Sequence, residues 1–369
     1  MKRKPPVLWL NVAFFALTFF GALILVPWRG FTHGFDGMEW LAFGLLAFFS
    51  GLSITAGYHR LWSHKTYKAS APARFLFALG GALALQNSAL HWSSDHRVHH
   101  KHVDDNDKDP YSANMGFWYS HIGWMLREYQ AHRYHDYKNV RDLQNDAIVM
   151  WQHNHYLKLV LLMNIGLPAF LGWLNGDILS MLLLAGLMRL VLVHHCTFFI
   201  NSLAHIWGSQ PYTDKNTAKD NGVLAFFTYG EGYHNFHHIF EYDYRNGIKW
   251  WHYDPTKWLI NLLAWCGQAK DLRKVPQERI ETAMLQMQLK HASNKVAQLP
   301  NCDEVLETLQ YEYDALREKL SSYYQAKKAL LDARRQKLCV QQLNEQVLAL
   351  KVQLAQQVKQ WRQLTHQYA

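Results

Sequence analysis

Two short strings in this chain space their histidines alike. DHRVHH, residues 95–100, carries His96, His99 and His100, and YHNFHH, residues 233–238, carries His234, His237 and His238. With 22 histidines in 369 residues, the pattern HxxHH is expected roughly 0.08 times by chance, so two copies imply a shared task. Neutral imidazole nitrogens suit Zn, Cu, Fe and Ni. On a helix, positions i, i+3 and i+4 lie near one another, which predicts that each string presents three imidazoles to a single point. HRLWSH adds His59 and His64, five apart, as fits a helix end opening into a loop, and His205 follows NSLA. Nine imidazoles exceed the four ligands of a structural zinc and the three of a catalytic one. Divided over two ions they leave open positions on each, which suits a metal pair handling a small exogenous molecule. A carboxylate-rich di-metal bundle would need two Glu-x-x-His strings and two further glutamates. The chain has one such string, Glu231 to His234, so Glu231 is expected to orient a ligand rather than to be one.

These residues need elements to hold them. The chain is 49% hydrophobic with a formal net charge of +9, and the apolar residues are concentrated in its first three quarters. Residues 7–27 carry no charge over a full bilayer thickness, and 39–57 carry only Glu39 at the edge; 157–174 and 178–200 form a second pair turned at NGD, with Lys158 near one end and Arg189 inside. Four spans in two hairpins follow. The first is a retained anchor, since its apolar run is too long for a signal peptide and no small-residue cleavage site follows. Lys2, Arg3 and Lys4 precede it, against Arg29 alone in the first loop, so the positive-inside bias places both termini and every histidine cluster on the cytoplasmic side. Residues 75–90, short and with two adjacent glycines, read as an interfacial or buried helix. Four cysteines without CxxC spacing indicate a reducing face and no zinc finger. A membrane metal transporter or store would need ionisable residues within the spans, and these offer only Arg189 and the His194–His195 pair. No nucleic-acid partner is expected.

Beyond about residue 270 the composition turns to Gln, Lys, Leu and Glu. Leu306, Leu309, Tyr313, Leu316, Leu320 and Tyr323 step by three and four, as do Val340, Leu343, Val347, Leu350 and Leu354, then, past a polar step at Gln357, Trp361, Leu364 and Tyr368. Two helical segments are predicted, forming either one interrupted coiled coil or a helix that folds back, for association with a second copy or a partner. The predicted architecture is an all-α membrane protein: four transmembrane helices in two hairpins, a cytoplasmic helical cap holding a His-rich dimetal site, and C-terminal coiled-coil helices. Its boundaries fall at 1–270 and 271–369.

GYHRLWSHKTYK, SSDHRVHHKHVDD, NSLAHIWGSQPY and GEGYHNFHHIFEYDYRNG closely resemble the membrane fatty-acyl desaturases of the stearoyl-CoA desaturase type, in order and at family spacing, over about residues 7–265. LVHHCTFFINSLAH looks like the prokaryotic members, which implies a bacterial inner membrane. The resemblance implies two non-haem irons on His59, His64, His96, His99, His100, His205, His234, His237 and His238, with Asn201 reaching a metal through water. It further implies O2 and two electrons as co-reactants and a cis double bond, commonly at the ninth carbon. Gln86, Trp92 and Thr197 match residues at the bend of the acyl tunnel, and Asn87 and Asp95 match positions near the thioester and head group. The chain departs from animal members in having Asn114, Met115 and Ser94 where they carry arginines. Acyl-CoA stays the first choice of substrate, with phospholipid- or carrier-bound chains open. Gly51 and Ala47, both small, match the positions that close the tunnel, so a longer acyl chain is expected to fit. No HPGG string occurs, so the electron donor, of ferredoxin, cytochrome b5 or flavin-reductase type, is expected to be a separate protein. A His-box membrane hydroxylase is the nearest rival within enzymes.

Overall fold

A computed structural model describes residues 5–300 and 302–368. The cations used to orient the first span, Lys2, Arg3 and Lys4, lie outside the described residues. Two compact units are present: the chain up to Gln210 with Lys215–Lys274, and Pro211–Asp214 with Val275 onward.

Four helices of the first unit are long and apolar enough to cross a membrane: α1 (Trp9–Thr32), α2 (Gly37–Ser63), α5 (Tyr156–Asn175) and α6 (Ile178–Ile206). Between them lie α3 (Ala71–Ala84) and α4 (Ala89–His102), with α7 (Gly222–Phe227), α8 (His234–Ile239) and α9 (Pro255–Trp265) after α6. The lone acid of the second span starts it. Asp36 accepts from the backbone of Met38 and Glu39, and Glu39 accepts from the backbone of Asp36, closing a capping box. Both hairpin turns meet at one end of the unit. Arg29 pairs with Asp177 and donates to Ser180 Oγ at 2.7 Å, while Asn175 donates to Asp36 at 2.8 Å. Outward faces of the spans are apolar and exposed, as at Leu10, Leu17, Phe20 and Leu161.

Helix α3 is buried against α2. A Cβ on Gly80 would come within 2.0 Å of Ser53 Oγ and one on Gly81 within 2.2 Å of the Tyr58 ring, so the paired glycines let the two helices touch. A helix end leaves four carbonyls without partners, and burial makes that costly. Residues buried in the second hairpin supply the donors. Asn164 bonds Ala82 O at 3.1 Å, Arg189 bonds Leu83 O at 2.7 Å, and His194 Nε2 lies 2.9 Å from Ala84 O and 3.2 Å from Leu85 O. Arg189 completes its bonding on Ala185 O and Asn164 Oδ1. Its charge caps a helix and lines no path.

The last stretch of α2, Ser53–Ser63, winds as a π-helix. A β-bridge of two residues, β1 (Lys68–Ala69) against β2 (Ala269–Lys270), ties the exit of α2 to the end of the unit.

The second unit holds α10 (Gln277–Val296), α11 (Cys302–Arg335) and α12 (Gln341–His366). Contacts of Tyr313 with Trp361, Lys319 with Gln357 and Arg334 with Asn344 run in opposite directions along the chain, so α12 folds back on α11. Ala292, Val296, Leu309, Tyr313, Leu316 and Trp361 form one core. The third helix, α10, was not anticipated. Gln357 breaks the apolar stripe because it is buried between Glu312 and Lys319, the register-fixing use of a polar core residue.

Candidate dimetal centre and its cavity

All nine imidazoles converge, in two groups. His59, His64, His96, His100 and His237 form one, and His99, His205, His234 and His238 the other; within each, the ligand nitrogens lie within 4.8 Å of one another. The expectation that each HxxHH string serves a single point is therefore corrected. Successive residues turn by about 100° on an α-helix, so i+4 returns near i while i+3 falls on the other side of it. Helix α4 gives His96 and His100 to the first group and His99 to the second, and α8 gives His234 and His238 to the second and His237 to the first. The two strings are reciprocal.

The remaining pair depends on the π-helix. A π-helix bonds i to i+5, and His64 N donates to His59 O at 3.1 Å. A five-residue spacing that would splay on an α-helix thus falls on one face, bringing the rings edge-on at 4.9 Å between centroids.

Acceptors surround the rings on their outer, Nδ1 side. Glu231 Oε2 lies 2.8 Å from His59 Nδ1, Glu241 Oε2 lies 3.1 Å from His100 Nδ1, Asp109 Oδ1 lies 2.9 Å from His99 Nδ1, and Thr217 Oγ1, itself donating to Asp104, lies 2.8 Å from His205 Nδ1. On the inner side Nε2 atoms crowd one another: His64 to His96 at 2.8 Å, His59 to His237 at 2.9 Å, His237 to His100 at 3.0 Å and His238 to His234 at 3.1 Å; wherever Nδ1 holds the ring's proton, Nε2 is a lone pair. His205 Nε2 is buried with no hydrogen-bond partner. Nitrogens converging in this way suit a cation at each centre, so the donor set fits two metal ions, with outer partners at four of the rings of the kind that fix ligating histidines.

The electrostatics agree. Burial, then the neighbouring imidazoles, hold His64, His96, His234, His237 and His238 well below the usual imidazole value, and burial takes His100 down to about 4 against the pull of Glu241. These rings are neutral and free to ligate. Burial alone would raise Glu231, but His59 and Arg60 outweigh it and bring the carboxyl to about 2.

Beside the histidines opens a cavity of about 250 Å³ whose walls include Gln86, Asn87, Trp92, Asp95, Thr197 and Asn201. Gln86 Nε2 donates to Thr197 Oγ1 at 2.9 Å, joining the end of α3 to α6 across it. Trp92 stacks on His96 at 4.8 Å. Ala47 and Gly51 are not among the walls. They lie on α2 against Tyr229, whose hydroxyl donates to Ala47 O at 3.1 Å.

Residues 38–263, more than half of the chain, match the family model for fatty acid desaturase. The chain belongs to the fatty acid desaturase family. Curated relatives include acyl-CoA desaturase 1 of Saccharomyces cerevisiae, 44% identical over 68% of this chain and 49% of that protein; sn-2 palmitoyl-lipid 9-desaturase of Nostoc sp., 36% identical over 75% and 94%; and stearoyl-CoA desaturase of Bos taurus, 37% identical over 76% and 78%. The chain spans about half the length of the yeast protein. All nine histidines of this desaturase-family chain fall within the matched stretch, and α10, α11 and α12 fall outside it.

Several site residues were not found by spacing. Arg133, from the loop before α5, grips Asp95 with two bonds of 3.0 and 2.9 Å and lies 5.1 Å over the Trp124 ring. It supplies a guanidinium at a cavity where Ser94 had suggested none; Ser94 instead donates to Asn139. Glu241, three residues past the third histidine string, and Asp109, ten past His99, carry no pattern that marks them. Both are known by the imidazole they face.

Proposed function

We propose that this chain is an O2-dependent acyl desaturase that forms a cis double bond, at the ninth carbon, in a saturated acyl-CoA. The observation that carries the reading is the pair of inward-facing Nε2 groups beside a cavity with one charged end, Asp95 and Arg133, and otherwise largely apolar or neutral walls. The ninth-carbon position is supported by the name of the Nostoc relative, and the CoA carrier by those of the yeast and bovine ones. The overall change is –CH2–CH2– plus O2, two electrons and two protons to –CH=CH– and two waters. Two irons held by the nine histidines, with Asn201 reaching one of them through water, would supply the O2 activation that no side chain can provide.

The residues have separable tasks. Glu231, Glu241, Asp109 and Thr217 fix the rings so that the ligand set is preorganised. The Asp95–Arg133 pair receives the polar end of the substrate, where the guanidinium fork suits phosphate or carbonyl oxygens. Gln86, bonded to Thr197, and Trp92 shape the passage for the chain, and the packing of Trp92 on His96 helps to exclude water from the reacting carbons. Electrons come from a donor on the histidine side of the membrane, read as cytoplasmic from the excess of Lys2, Arg3 and Lys4 over Arg29.

The test is the fatty-acid profile, with double-bond localisation, of a desaturase-deficient host expressing the parent chain or His238→Ala. Cis-monoenes from the parent and none from the variant are expected. Hydroxy acids would reassign the chain as a hydroxylase, and no product from a parent chain loaded with iron and supplied with reductant would overturn the reading.

A further inference from the structure

The second unit separates its charges along α11. Residues 302–318 hold six acids, Asp303, Glu304, Glu307, Glu312, Asp314 and Glu318, against Arg317 alone, while residues 327–338 hold five cations, Lys327, Lys328, Arg334, Arg335 and Lys337, against Asp332 alone. The cationic end is the turn that joins α11 to α12, and all five cations there are exposed. Asp332 offsets little of this charge, lying 3.9 Å from Arg335. A helix dipole favours cations in a last turn, which accounts for Arg334 and Arg335 but not for Lys327 and Lys328, two turns earlier. Nor does it account for the leucines among them. Leu330 is buried in the unit, but Leu331 is 48% and Leu338 57% exposed. Lys327, Lys328, Arg334 and Arg335 stand at i−4, i−3, i+3 and i+4 from Leu331, so the four cations surround one bare leucine on a single helix face.

Cations around exposed leucines call for a partner that is anionic at its surface and apolar just beneath it. A leaflet containing anionic lipids offers both, headgroups for the lysines and arginines and the acyl boundary for the leucines. It is also always at hand, because Val275 follows directly on Lys274, the last residue of the unit that carries the four spans. A tethered contact of this kind needs little affinity of its own. We propose that the turn between α11 and α12 docks on the anionic surface of the membrane that holds the spans, with Leu331 and Leu338 entering its headgroup layer. The inference concerns a part of the chain outside the desaturase match and does not depend on the reaction assigned above.

The experiment places the full-length protein in nanodiscs of phosphatidylcholine, or of phosphatidylcholine mixed with phosphatidylglycerol, and follows amide hydrogen exchange over residues 327–340. Each lysine or arginine near an anionic surface strengthens its binding about fivefold, so several together should slow exchange at the turn about tenfold or more in the mixed discs. Raised salt should erase the difference. The double variant Lys328→Glu, Arg335→Glu should exchange alike in both discs while keeping the parent's metal content, and protection around the buried Leu309 and Leu316 reports that its second unit is folded. If that protection is lost, the salt dependence of the parent decides the matter. Equal exchange of the parent turn in both discs overturns the proposal, and is the result that a turn made for an acidic protein or for a second copy would give. Protection by phosphatidylglycerol that survives both raised salt and the double variant overturns it as well.

Discussion

Glu231→Gln isolates what a carboxylate does behind the metal ligands. Glu231 is buried and faces three sources of protons: Arg60 donates to Oε1 at 2.8 Å, Asn246 donates to Oε2 at 2.7 Å, and His59 Nδ1 lies 2.8 Å from Oε2. Glutamine has the same shape but only one acceptor oxygen and two N–H bonds of its own. Wherever its NH2 points it meets a donor. Arg60 meets Oε1 while His59 and Asn246 both meet Oε2. An amide oxygen on the Arg60 side therefore turns its NH2 towards His59 and Asn246 together, and one on the other side turns it towards Arg60, which retains Asp254 3.0 Å away; either mismatch costs about 1–3 kcal/mol. If the loss falls on His59, its ring is no longer held with Nε2 inward, and outer-partner losses of this kind weaken metal binding about 10–100-fold. The assay is metal content of the purified protein under graded chelator, read beside its thermal unfolding. Preferential loss of one of two metals is expected, since His59 belongs to the five-histidine group. Both metals retained with affinities within twofold of the parent would refute the argument that Glu231 orients a ligand.

The metal-free protein should depend steeply on pH. Six buried histidines (His64, His96, His100, His234, His237 and His238) have values pushed below their unfolded 6.5, so the unfolded chain binds more protons, and the stability they confer is complete above 6.5 and lost as pH falls towards the folded value, about 4 for His100. Each contributes a slope of up to about 1.4 kcal/mol per pH unit; thermal unfolding in detergent should show the uptake of several protons between pH 6.5 and 5.5, and a slope of one proton or fewer contradicts it. In the second unit, Trp361→Ala removes a fully buried ring and its bond to Gln288 Oε1. A loss of about 3–5 kcal/mol in that unit's unfolding is expected, with metal content unchanged.

How much of this could be read in advance follows from what residue type encodes. The four spans were legible because charge-free length is a property of composition, and even Glu39, Arg189 and His194 were visible as exceptions. Their tasks were not. Arg189 and His194 serve carbonyls of α3, more than a hundred residues earlier, and backbone acceptors have no letter in the sequence. The π-helix changes which residues stack without changing any of them, so HRLWSH looked like a helix end. Clustering nine histidines was legible; dividing them was not, because i+3 and i+4 are neighbours on a helical net but diverge about a narrow axis. Arg133 and Glu241 come from irregular chain, where no period guides the eye.

The reciprocal division of the two histidine strings has a consequence for how the protein is made. Neither candidate metal position is a local motif: one takes ligands from α2 and the residue that follows it, α4 and α8, the other from α4, α6 and α8, and neither is complete until α8 has left the ribosome and both hairpins are in the bilayer. An ion caught early by the first hairpin would find at most the imidazoles of α2 and α4. If the centres hold metal, loading belongs to the end of biogenesis, and whatever delivers it must reach buried ligands. Because α4 and α8 contribute to both positions, the first ion to arrive draws these helices together and places most of the ligands for the second. The pair is set to assemble as one event.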